Sequence, residues 1–541
     1  MKLKATPLLF VLFLFAMDQY GVAQSPSTYK FDALLQMIRF GYVDTVNEEQ
    51  LTEEAIRAVL KKLDPHSVYI PAKELKEMNE PLVGKFEGVG IQFNIFEDTI
   101  MVTQTIAGGP SEKLGVRAGD RIVEIDDEKV AGVKFTNNDV MKRLRGDKGT
   151  KVKVEILRRG EPELLEFMIT RDKIPIFSVD AAYMADQETG YIKISRFADA
   201  TVEEFKQALK KLQDSGMKNL ILDLSGNGGG YLNRAIELAD EFLEKDKLIV
   251  YTEGLNSPKQ SFSSSETGGF EKGKLVVIID ETSASASEIV SGAVQDHDRG
   301  LIIGRRSFAK GLVQKPMPLP DGSAIRLTTA RYHTPSGRCI QKPYEKGDEY
   351  DEDISNRFKN GELYSADSIK FNDSLMYKTT GGRKVFGGGG VMPDIFVPLD
   401  TAYNSKYLSD LQRKSVLFEF ALSYTDRNRD MLNSRYPNIG VYKKDFQVDE
   451  DLMNELVAFG EKKGVPLDSA GYATSKPLMK VQLRALIARD LWNIESYWQI
   501  INDKNDFFRM AMKCMYDETF VKNGIGVVDT SKKTKPSKGK K

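Results

Sequence analysis

This chain of 541 residues has little cysteine and histidine, with two Cys and three His. One disulfide could not be the framework of a chain this long, so we expect free, largely buried thiols at Cys339 and Cys514. The three histidines, His66, His297 and His333, argue against a Ser/His/Asp triad and against a histidine-rich metal site. The sequence therefore predicts no metal and no other cofactor.

The chain also lacks an excess of either charge. Its 77 Lys and Arg residues nearly balance 78 Asp and Glu residues, which gives a formal net charge of -1. This balance removes any whole-protein attraction to a polyanion, so nucleic acid is not an expected partner. With 41% hydrophobic and 29% charged residues, the composition is that of a globular protein, and the length predicts two to four domains.

The apolar run near the N-terminus, Pro7 to Met17, is too short to cross a membrane, which takes roughly 20 residues. Lys2 and Lys4 precede this run, and small residues follow it at Gly21 and Ala23. The pattern predicts a signal peptide over residues 1–23, cleaved after Ala23, with no membrane span left afterwards. An uncleaved anchor is the alternative.

Hydrophobic periodicity divides the remaining chain into regions of different structure. We expect an N-terminal helical segment (24–85), a β-rich domain with two helices (86–172), an α/β core (173–400), a helical C-terminal region (401–530) and a Lys-rich tail (531–541). In the core, strands at 190–194, 219–223, 248–251 and 275–279 alternate with helices, which predicts a largely parallel sheet. Active sites of such sheets lie at the carboxyl ends of strands. The polar stretch 345–380 is expected to be a surface insertion.

One serine and one lysine near the end of an apolar strand are candidates for catalysis. The strand Leu275–Ile279 leads to a helix that begins at Ser285, whose neighbours Ala284 and Ala286 are small. The start of a helix offers unpaired N–H groups and a positive partial charge to an oxyanion. Lys310 becomes a general base only if burial lowers its pKa from about 10.4. On the residues alone, an N-cap serine and a solvated lysine remain the alternative.

Four motifs, in this order and spacing, resemble the carboxyl-terminal processing (tail-specific) protease family. They are Ser-Ala-Ser-Ala-Ser-Glu (283–288), Gln-Asp (295–296), Phe-Ala-Lys-Gly-Leu-Val-Gln (308–314) and Tyr-His-Thr-Pro-Ser-Gly (332–337). The resemblance implies a ClpP/crotonase-like α/β protease core in a multidomain α/β chain. It makes Ser285 the nucleophile, Lys310 the general base and Gln314 the side chain that orients the lysine.

The same resemblance implies an oxyanion hole. One amide comes from Ala286, and the other comes from Gly229 or Gly230 in a glycine-rich loop where Gly228 replaces the more usual Pro. Asp296 resembles an acidic position of the family and is interpreted as structural, since a carboxylate that touches Lys310 would raise the lysine pKa.

A further resemblance, to PDZ domains, rests on Gly88–Phe93 and on Gly108–Ile122. A Gly-x-Gly turn into an exposed strand presents backbone N–H groups to a terminal carboxylate, and the strand edge pairs with the incoming peptide. Val89, Gly90 and Ile91 are expected to supply those amides. A β-rich spacer without a ligand is the alternative.

Together the two resemblances, which cover residues 31–398, imply an exported serine endopeptidase of the periplasm or cell envelope. Its partners would be protein substrates held by their C-terminal tails, with an accessory protein as a further candidate. The competing hypothesis is a non-catalytic PDZ scaffold or a hydrophobic-ligand carrier on the same core. The presence of Ser285, Lys310 and Gln314 together argues against it. The C-terminal helical region resembles nothing that suggests its role.

Overall fold

The computed structural model describes residues 26–265, 268–344 and 350–525. The chain divides after Leu63 into an N-terminal unit and one large unit. The N-terminal unit has two helices, as its apolar spacing predicts: α1, Pro26–Gly41, and α2, Glu48–Lys61. Asn47 starts α2 because its side chain accepts a hydrogen bond from the third residue along, which satisfies one of the unpaired N–H groups.

The large unit begins with β1, Val68–Ile70, and α3, Ala72–Val83. A two-stranded ribbon then leads into an inserted domain. Its strands are β2, Lys85–Gly88, and β9, Asp172–Pro175, which pair antiparallel. The chain enters the inserted domain through β2 and returns through β9. Both ends of the domain therefore lie side by side, and the residues between them form a separate hydrophobic core.

The inserted domain is a mainly antiparallel sheet with two helices, as predicted. In β7, Val152, Val154 and Ile156 are buried while the intervening side chains point outward, the period of two that a half-buried strand requires. The sheet order is β3-β4-β5-β7-β8, with β6 beside β5. The elements are β3, Ile91–Phe96; β4, Thr99–Thr105; α4, Pro110–Lys113; β5, Arg121–Ile125; β6, Glu128–Lys129; α5, Asn137–Leu144; β7, Lys151–Leu157; and β8, Leu165–Thr170.

The core that follows alternates strands and helices before it becomes richer in strands. Its elements are β10, Val179–Met184; β11, Thr189–Ile194; α6, Thr201–Asp214; β12, Asn219–Asp223; α7, Leu232–Asp240; β13, Leu248–Gly254; β14, Ser257–Ser263; β15, Leu275–Ile279; α8, Ala286–Asp296; β16, Leu301–Gly304; β17, Leu312–Pro318; β18, Ala324–His333; α9, Asp353–Lys359; β19, Met376–Lys378; β20, Lys384–Phe386; and β21, Ile395–Phe396. Two short 3-10 helices, Ala366–Ser368 and Asp373–Leu375, lie between α9 and β19.

One sheet of the core is largely parallel, which confirms the predicted multidomain α/β class. Its order is β10-β11-β12-β15-β16-β21, and only β10 and β11 pair antiparallel. The central strands β15 and β16 are buried throughout, and both are continuous runs of apolar residues. Such runs are expected where both faces of a parallel sheet are covered.

A second core sheet contains β13, which the sequence assigns to the parallel layer. This prediction is wrong: β13 pairs antiparallel with β14 and with β18, in a sheet of order β1-β18-β13-β14, with β17 also beside β18. A short apolar run indicates a strand but carries no information about the sheet that it joins.

The C-terminal region is entirely helical among its described elements. They are α10, Lys406–Arg413; α11, Val416–Arg435; α12, Ile439–Asp445; α13, Glu450–Lys462; α14, Ser469–Leu491; α15, Ile494–Ile501; α16, Asp506–Tyr516; and α17, Thr519–Lys522. The described helices include none that is long and apolar enough to cross a membrane.

Helices cover the parallel sheet on both faces. On one face, α6, α7 and α8 bury residues such as Phe205, Leu238 and Val290. On the other face, Ala511 and Met515 of α16 pack into a cluster with the central strands. The C-terminal region therefore completes a three-layer structure.

The C-terminal region also contacts the inserted domain. Arg121 of β5 donates to Asp426 of α11 at 2.9 Å, and both side chains are partly buried. Beside this ion pair, Leu422 packs with Phe96 and Met101. One helical region thus contacts both the α/β core and the inserted domain.

The polar stretch expected to be a surface insertion is not merely a surface feature. Tyr350 and Arg357 are buried, and the Arg357 guanidinium donates to the carbonyl of Ser307 at 2.7 Å. The charged composition predicted exposure, but a buried arginine is stable here because its guanidinium donates to a backbone carbonyl inside the fold. Residues 345–349, like the predicted signal peptide and basic tail, lie outside the described residues.

Both cysteines are free thiols, as predicted. Cys514 is buried on α16, whereas Cys339 is only half-buried. Burial raises the pKa of both thiols, so both are protonated near neutral pH.

Candidate active site

Ser285 occupies the turn between β15 and α8, directly before the first residue of the helix. Its φ of 54° and ψ of -110° place a residue with a side chain in a strained region of backbone space. Ala284 and Ala286 flank it, and Ala286 opens the helix. The strained turn sets the serine at the carboxyl end of a parallel strand, where the sheet topology predicts a site.

The carboxylate of Glu288 joins this turn to the lysine loop. It is fully buried and accepts four hydrogen bonds: from Ser285 N at 2.8 Å, Lys310 N at 2.9 Å, Ala309 N at 2.8 Å and Ser307 Oγ at 2.5 Å. Burial raises the pKa of Glu288, and the four donors oppose that rise. One side chain therefore fixes the backbones of the predicted nucleophile and base relative to each other.

Glu288 was missed as a site residue by the sequence reasoning, although a signal for it was present. Ser285 followed three residues later by Glu is the spacing of a capping box, in which the acidic side chain reaches back to the N-cap amide. That interaction is seen here. The spacing could not show that the same carboxylate also binds a loop more than twenty residues away in the chain.

Lys310 lies in the loop between β16 and β17, which turns sharply at Ala309, with φ of 75°. Burial lowers the pKa of Lys310, and the nearby Arg326 lowers it further, while Glu288 and Asp64 act in the opposite direction. The net direction is the one that the predicted general base requires, because a lysine takes a proton only when it is neutral.

Tyr332 makes a second connection between the two loops. Its buried hydroxyl lies 2.8 Å from the carbonyl oxygen of Lys310 and 3.2 Å from that of Ser285, so the two acceptors share its proton. Burial raises the pKa of Tyr332 well above its ordinary value, which keeps the hydroxyl a donor. The serine turn and the lysine loop are therefore held together from two sides.

The glycine-rich loop after β12 packs directly on the serine turn. A Cβ at Gly229 would lie 2.8 Å from the Cβ of Ser285 and 3.0 Å from the nitrogen of Ala286, so only glycine fits. Asn227, which the sequence reasoning left unassigned, anchors the loop: its carbonyl accepts from Ala284 N at 3.0 Å, and its side chain accepts from Gly229 N at 2.8 Å.

Gly230 lies next in this loop but faces Phe197, since a Cβ there would meet the carbonyl oxygen of Phe197 at 2.1 Å. Gly229 already donates its N–H to Asn227. Within the described ranges, the N–H groups of Gly230 and Ala286 have no such acceptor. The structure thus places Ala286 and Gly229 next to Ser285. Of the two candidate glycines, only Gly230 has an N–H group without an acceptor among the described residues.

Gln314 is at the third position of β17, and its side-chain amide nitrogen donates to Thr328 Oγ1 at 3.3 Å. Thr328 donates in turn to Asp64, at 3.0 Å. The predicted lysine-orienting residue is therefore part of a side-chain network that the motifs did not indicate.

The three histidines all have partners. His66 Nε2 lies 2.6 Å from Tyr350 Oη, His297 Nε2 lies 2.7 Å from a carbonyl oxygen, and His333 stacks on Tyr251 with ring centroids 4.6 Å apart. Burial and the charge of Lys310 lower the pKa of His66 to about 4. At this turn the carboxylate of Asp64 accepts a hydrogen bond from His66 N at 2.8 Å.

Asp296 is buried at the end of α8, where it accepts from Arg338 at 2.8 Å in an ion pair with no exposed side-chain surface. This placement agrees with the structural interpretation. Among the described residues, no group of three or more His, Cys, Asp or Glu side chains is arranged to hold a metal ion.

The inserted domain carries a groove of about 240 Å³ between β3 and α5. Val89, Gly90 and Ile91 line one wall, and Met141 and Leu144 of α5 line the other. Gly90 has φ of 77°, the left-handed conformation that the turn into β3 requires. The groove therefore combines backbone groups at a strand edge with apolar side chains.

Models of known protein families match separate regions of this chain, and these regions correspond to the core, the inserted domain and the helical region of the fold. A model described as peptidase family S41 matches residues 188–354, and a PDZ domain model matches residues 88–169. A third model, described as a family of unknown function, DUF8443, matches residues 407–493 in the helical region.

Two curated bacterial relatives are carboxy-terminal processing proteases. That of Bartonella bacilliformis is 38% identical over 324 residues, 58% of this chain and 74% of the relative. That of Bacillus subtilis is 37% identical over 317 residues, 58% of this chain and 65% of the relative. Among solved structures, a photosystem II D1 C-terminal processing protease matches with 26% identity over 69% of this chain and 87% of its own, with a TM-score of 0.36.

The Bartonella relative has both the identity and the coverage that establish membership of a family. The family-model matches place peptidase and PDZ regions where the structure has an α/β core and an inserted β-rich domain. The chain belongs to the carboxy-terminal processing proteases of peptidase family S41 and is a serine-type peptidase.

Proposed function

We propose that this protein is an exported endopeptidase that captures protein substrates by their C-terminal tails and cleaves them through an acyl-enzyme on Ser285, with Lys310 as the general base. The observation that carries this proposal is the carboxylate of Glu288. It accepts hydrogen bonds from the backbone nitrogens of both residues, which supports a single site that contains the serine and the lysine.

The chemistry proceeds in two half-reactions. Neutral Lys310 accepts the proton of Ser285 Oγ as that oxygen attacks the substrate carbonyl, and the protonated lysine then donates to the leaving amine. In the second half water attacks the acyl-enzyme while the lysine takes a proton from it, and the lysine returns that proton to Ser285 Oγ as the bond between this oxygen and the acyl carbon breaks. Burial lowers the pKa of Lys310, which favours the neutral amine that the first transfer needs, because a charged ammonium has no free electron pair.

For the oxyanion we propose the N–H groups of Ala286 and Gly230. Ala286 is the first residue of α8, so its N–H belongs to the helix end where negative charge is favoured. Gly230 is preferred to Gly229 because the Gly229 N–H is already bound to Asn227.

Tail capture is proposed for the groove between β3 and α5. An incoming C-terminus would pair with the edge of β3, place its carboxylate at the Val89, Gly90 and Ile91 amides, and bury an apolar side chain against Met141 and Leu144. Recognition of this kind selects unstructured, apolar tails.

The domain boundaries and the export of the protein are part of the same proposal. The β2–β9 ribbon, through which the chain leaves and returns, supports an inserted domain at residues 86–172. The core then spans residues 173–400 and contains the loops of the proposed site. Basic residues before a short apolar run support a signal peptide that directs the protein to the periplasm or envelope.

The dyad is tested with Ser285→Ala, Lys310→Met and the double variant, assayed on an unstructured protein with an apolar tail. Each single change is expected to abolish turnover, and the double variant to lose little more, because the two side chains act as a unit. Lys315→Met, on the exposed part of β17, is the matched control. Losses that multiply in the double variant would contradict the dyad.

A further inference from the structure

A buried carboxylate lies at the start of the large unit, far in sequence from the serine and lysine motifs. Asp64 accepts hydrogen bonds from His66 N at 2.8 Å, Ser67 N at 2.9 Å, Ser67 Oγ at 2.6 Å and Thr328 Oγ1 at 3.0 Å. It is only 8% exposed. Burial opposes its ionisation, but these four donors hold the pKa of Asp64 below its ordinary value.

The direction of each hydrogen bond in this network follows from the charge on Asp64. A carboxylate only accepts, so the Thr328 hydroxyl must donate to it, and the threonine oxygen is left as an acceptor. Gln314 then has to present its amide nitrogen to Thr328, which it does at 3.3 Å. The carbonyl oxygen of Gln314 is thereby turned away from Thr328. A chain of two hydrogen bonds thus assigns the orientation of an amide that is otherwise free to flip.

Strand pairing makes this arrangement rigid. Gln314 and Thr328 lie directly opposite each other on β17 and β18. On the other side of β18, strand β1 pairs with it, and Thr328 N donates to Ser67 Oγ at 3.1 Å. Lys310 precedes β17 by two residues and is close enough for the charge of Asp64 to affect it.

We propose that Asp64 and Thr328 are positioning residues for the general base: they fix the amide of Gln314 so that its carbonyl oxygen receives the Lys310 side chain and directs it at Ser285. The inference rests on the proposed dyad. A carbonyl oxygen suits the task because it accepts a hydrogen bond from lysine in either charge state. A flipped amide would instead set its NH2 group against the lysine, and the base would move away.

Thr328→Val tests the positioning, since it removes the hydroxyl and leaves the charge of Asp64 in place. We expect kcat to fall by about tenfold to a hundredfold with KM little changed, because a small misplacement of a reacting group costs that much. Thr328→Ser, which keeps the hydroxyl, is expected to recover most of the loss. The matched control is Thr329→Val, because the Thr329 hydroxyl is buried without a hydrogen-bond partner among the described residues.

A double-variant comparison separates positioning from general damage. If Thr328 acts through Gln314, then Thr328→Val combined with Gln314→Ala should be no slower than Gln314→Ala alone. Multiplicative losses would overturn the proposal, as would a Thr328→Val protein with normal kcat, or a Thr328→Ser protein as slow as the valine variant.

Asp64→Asn tests the charge separately. The asparagine oxygen still accepts from Thr328, so the amide of Gln314 stays oriented, but the negative charge near Lys310 is gone. The other groups that face Lys310 are Arg326 of β18, Glu288 of α8 and His66, which is neutral near pH 7. With one negative charge fewer, the pKa of Lys310 falls, so the acid limb of kcat/KM should move to lower pH while the plateau is kept.

An unshifted acid limb in Asp64→Asn, or a lower plateau with no shift, would overturn this part of the proposal. Failure of the dyad itself gives a different result, because Lys310→Met would then retain turnover. If Lys310→Met is inactive and Thr328→Val is normal, the dyad stands and the positioning network is refuted.

Discussion

The protease core and the C-terminal helical region use their polar side chains in opposite ways. In the core, buried polar groups converge: four donors meet on Glu288, and Tyr332 joins the same two loops. In the helical region two carboxylates bind neighbouring domains: Asp426 accepts from the inserted domain, and Glu495 accepts from the backbone of β10 at 3.0 Å. The first arrangement fixes the serine turn and the lysine loop relative to each other, and the second fixes domains relative to one another.

This difference predicts that damage to the polar network of the core slows turnover strongly, whereas damage to the helical interface weakens the coupling between the helical region and the inserted domain. A buried acceptor with several donors leaves all of them unsatisfied when it is removed, at about 1–3 kcal/mol each. A partly buried ion pair between domains is worth less.

The largest effect is expected from Glu288→Gln. All four of its partners are placed as donors, and the amide NH2 of glutamine would face at least one backbone N–H whichever way it turns. We expect turnover to fall by about 100-fold to 1000-fold, equivalent to roughly 2.7–4 kcal/mol. Steady-state kinetics measures the loss, with the exposed Glu237→Gln of α7 as control. Near-normal turnover would show that the carboxylate does not hold the site.

Tail recognition is expected to contribute the next largest effect. Amidating the substrate C-terminus removes a charge-assisted interaction worth about 1.5–3 kcal/mol, so cleavage should slow by about 10-fold to 100-fold. Met141→Asp in the groove should slow free-tail substrates similarly and amidated ones little further, while Lys142→Asp, on the exposed side of α5, should not. Gly90→Pro is a poor probe, since proline cannot adopt φ of 77°.

Equal rates on free and amidated tails with the unaltered enzyme would refute tail capture. A faster Met141→Asp enzyme on both substrates would indicate instead that the inserted domain obstructs the site. Either result would leave the assignment of the dyad intact, because the serine and lysine variants test it on their own.

The helical interface is expected to show a smaller coupling. Arg121→Ala and Asp426→Ala should each lower the free energy of unfolding, and the double variant should lose less than their sum by about 1 kcal/mol, since one interaction is removed in both. Denaturant unfolding measures the cycle. Strict additivity would mean that this ion pair does not join the inserted domain to the helical region.

The smallest effect is expected on the pH profile. Arg326 lowers the pKa of Lys310, so Arg326→Met should raise it. The base is then protonated to a higher pH, and the acid limb of kcat/KM moves upward while activity above it is retained. Lys315→Met serves as the control for a change of charge on a neighbouring strand. A downward shift, or none, would mean that Arg326 does not act on the base.

Much of this molecule was predictable from local patterns. The β-rich character of the inserted domain, the apolar strand at 275–279 and the helical character of the C-terminal region all appear as predicted, because burial on one or both faces imposes its period on the sequence. The strand β13 was placed in the wrong sheet because a short apolar run fits either sheet equally well.

The sequence by itself indicated the fold class, through its alternation of strands and helices. Its resemblance to a protease family predicted the pair Ser285 and Lys310, which the residues alone did not single out. Only the tertiary structure decided that Glu288, Asn227, Tyr332 and Asp64 surround that pair. It also decided that the helical region holds both other domains. The physical reason is that a buried polar side chain takes its partners from whichever segments the fold brings within hydrogen-bonding distance, and those segments are far apart in the chain.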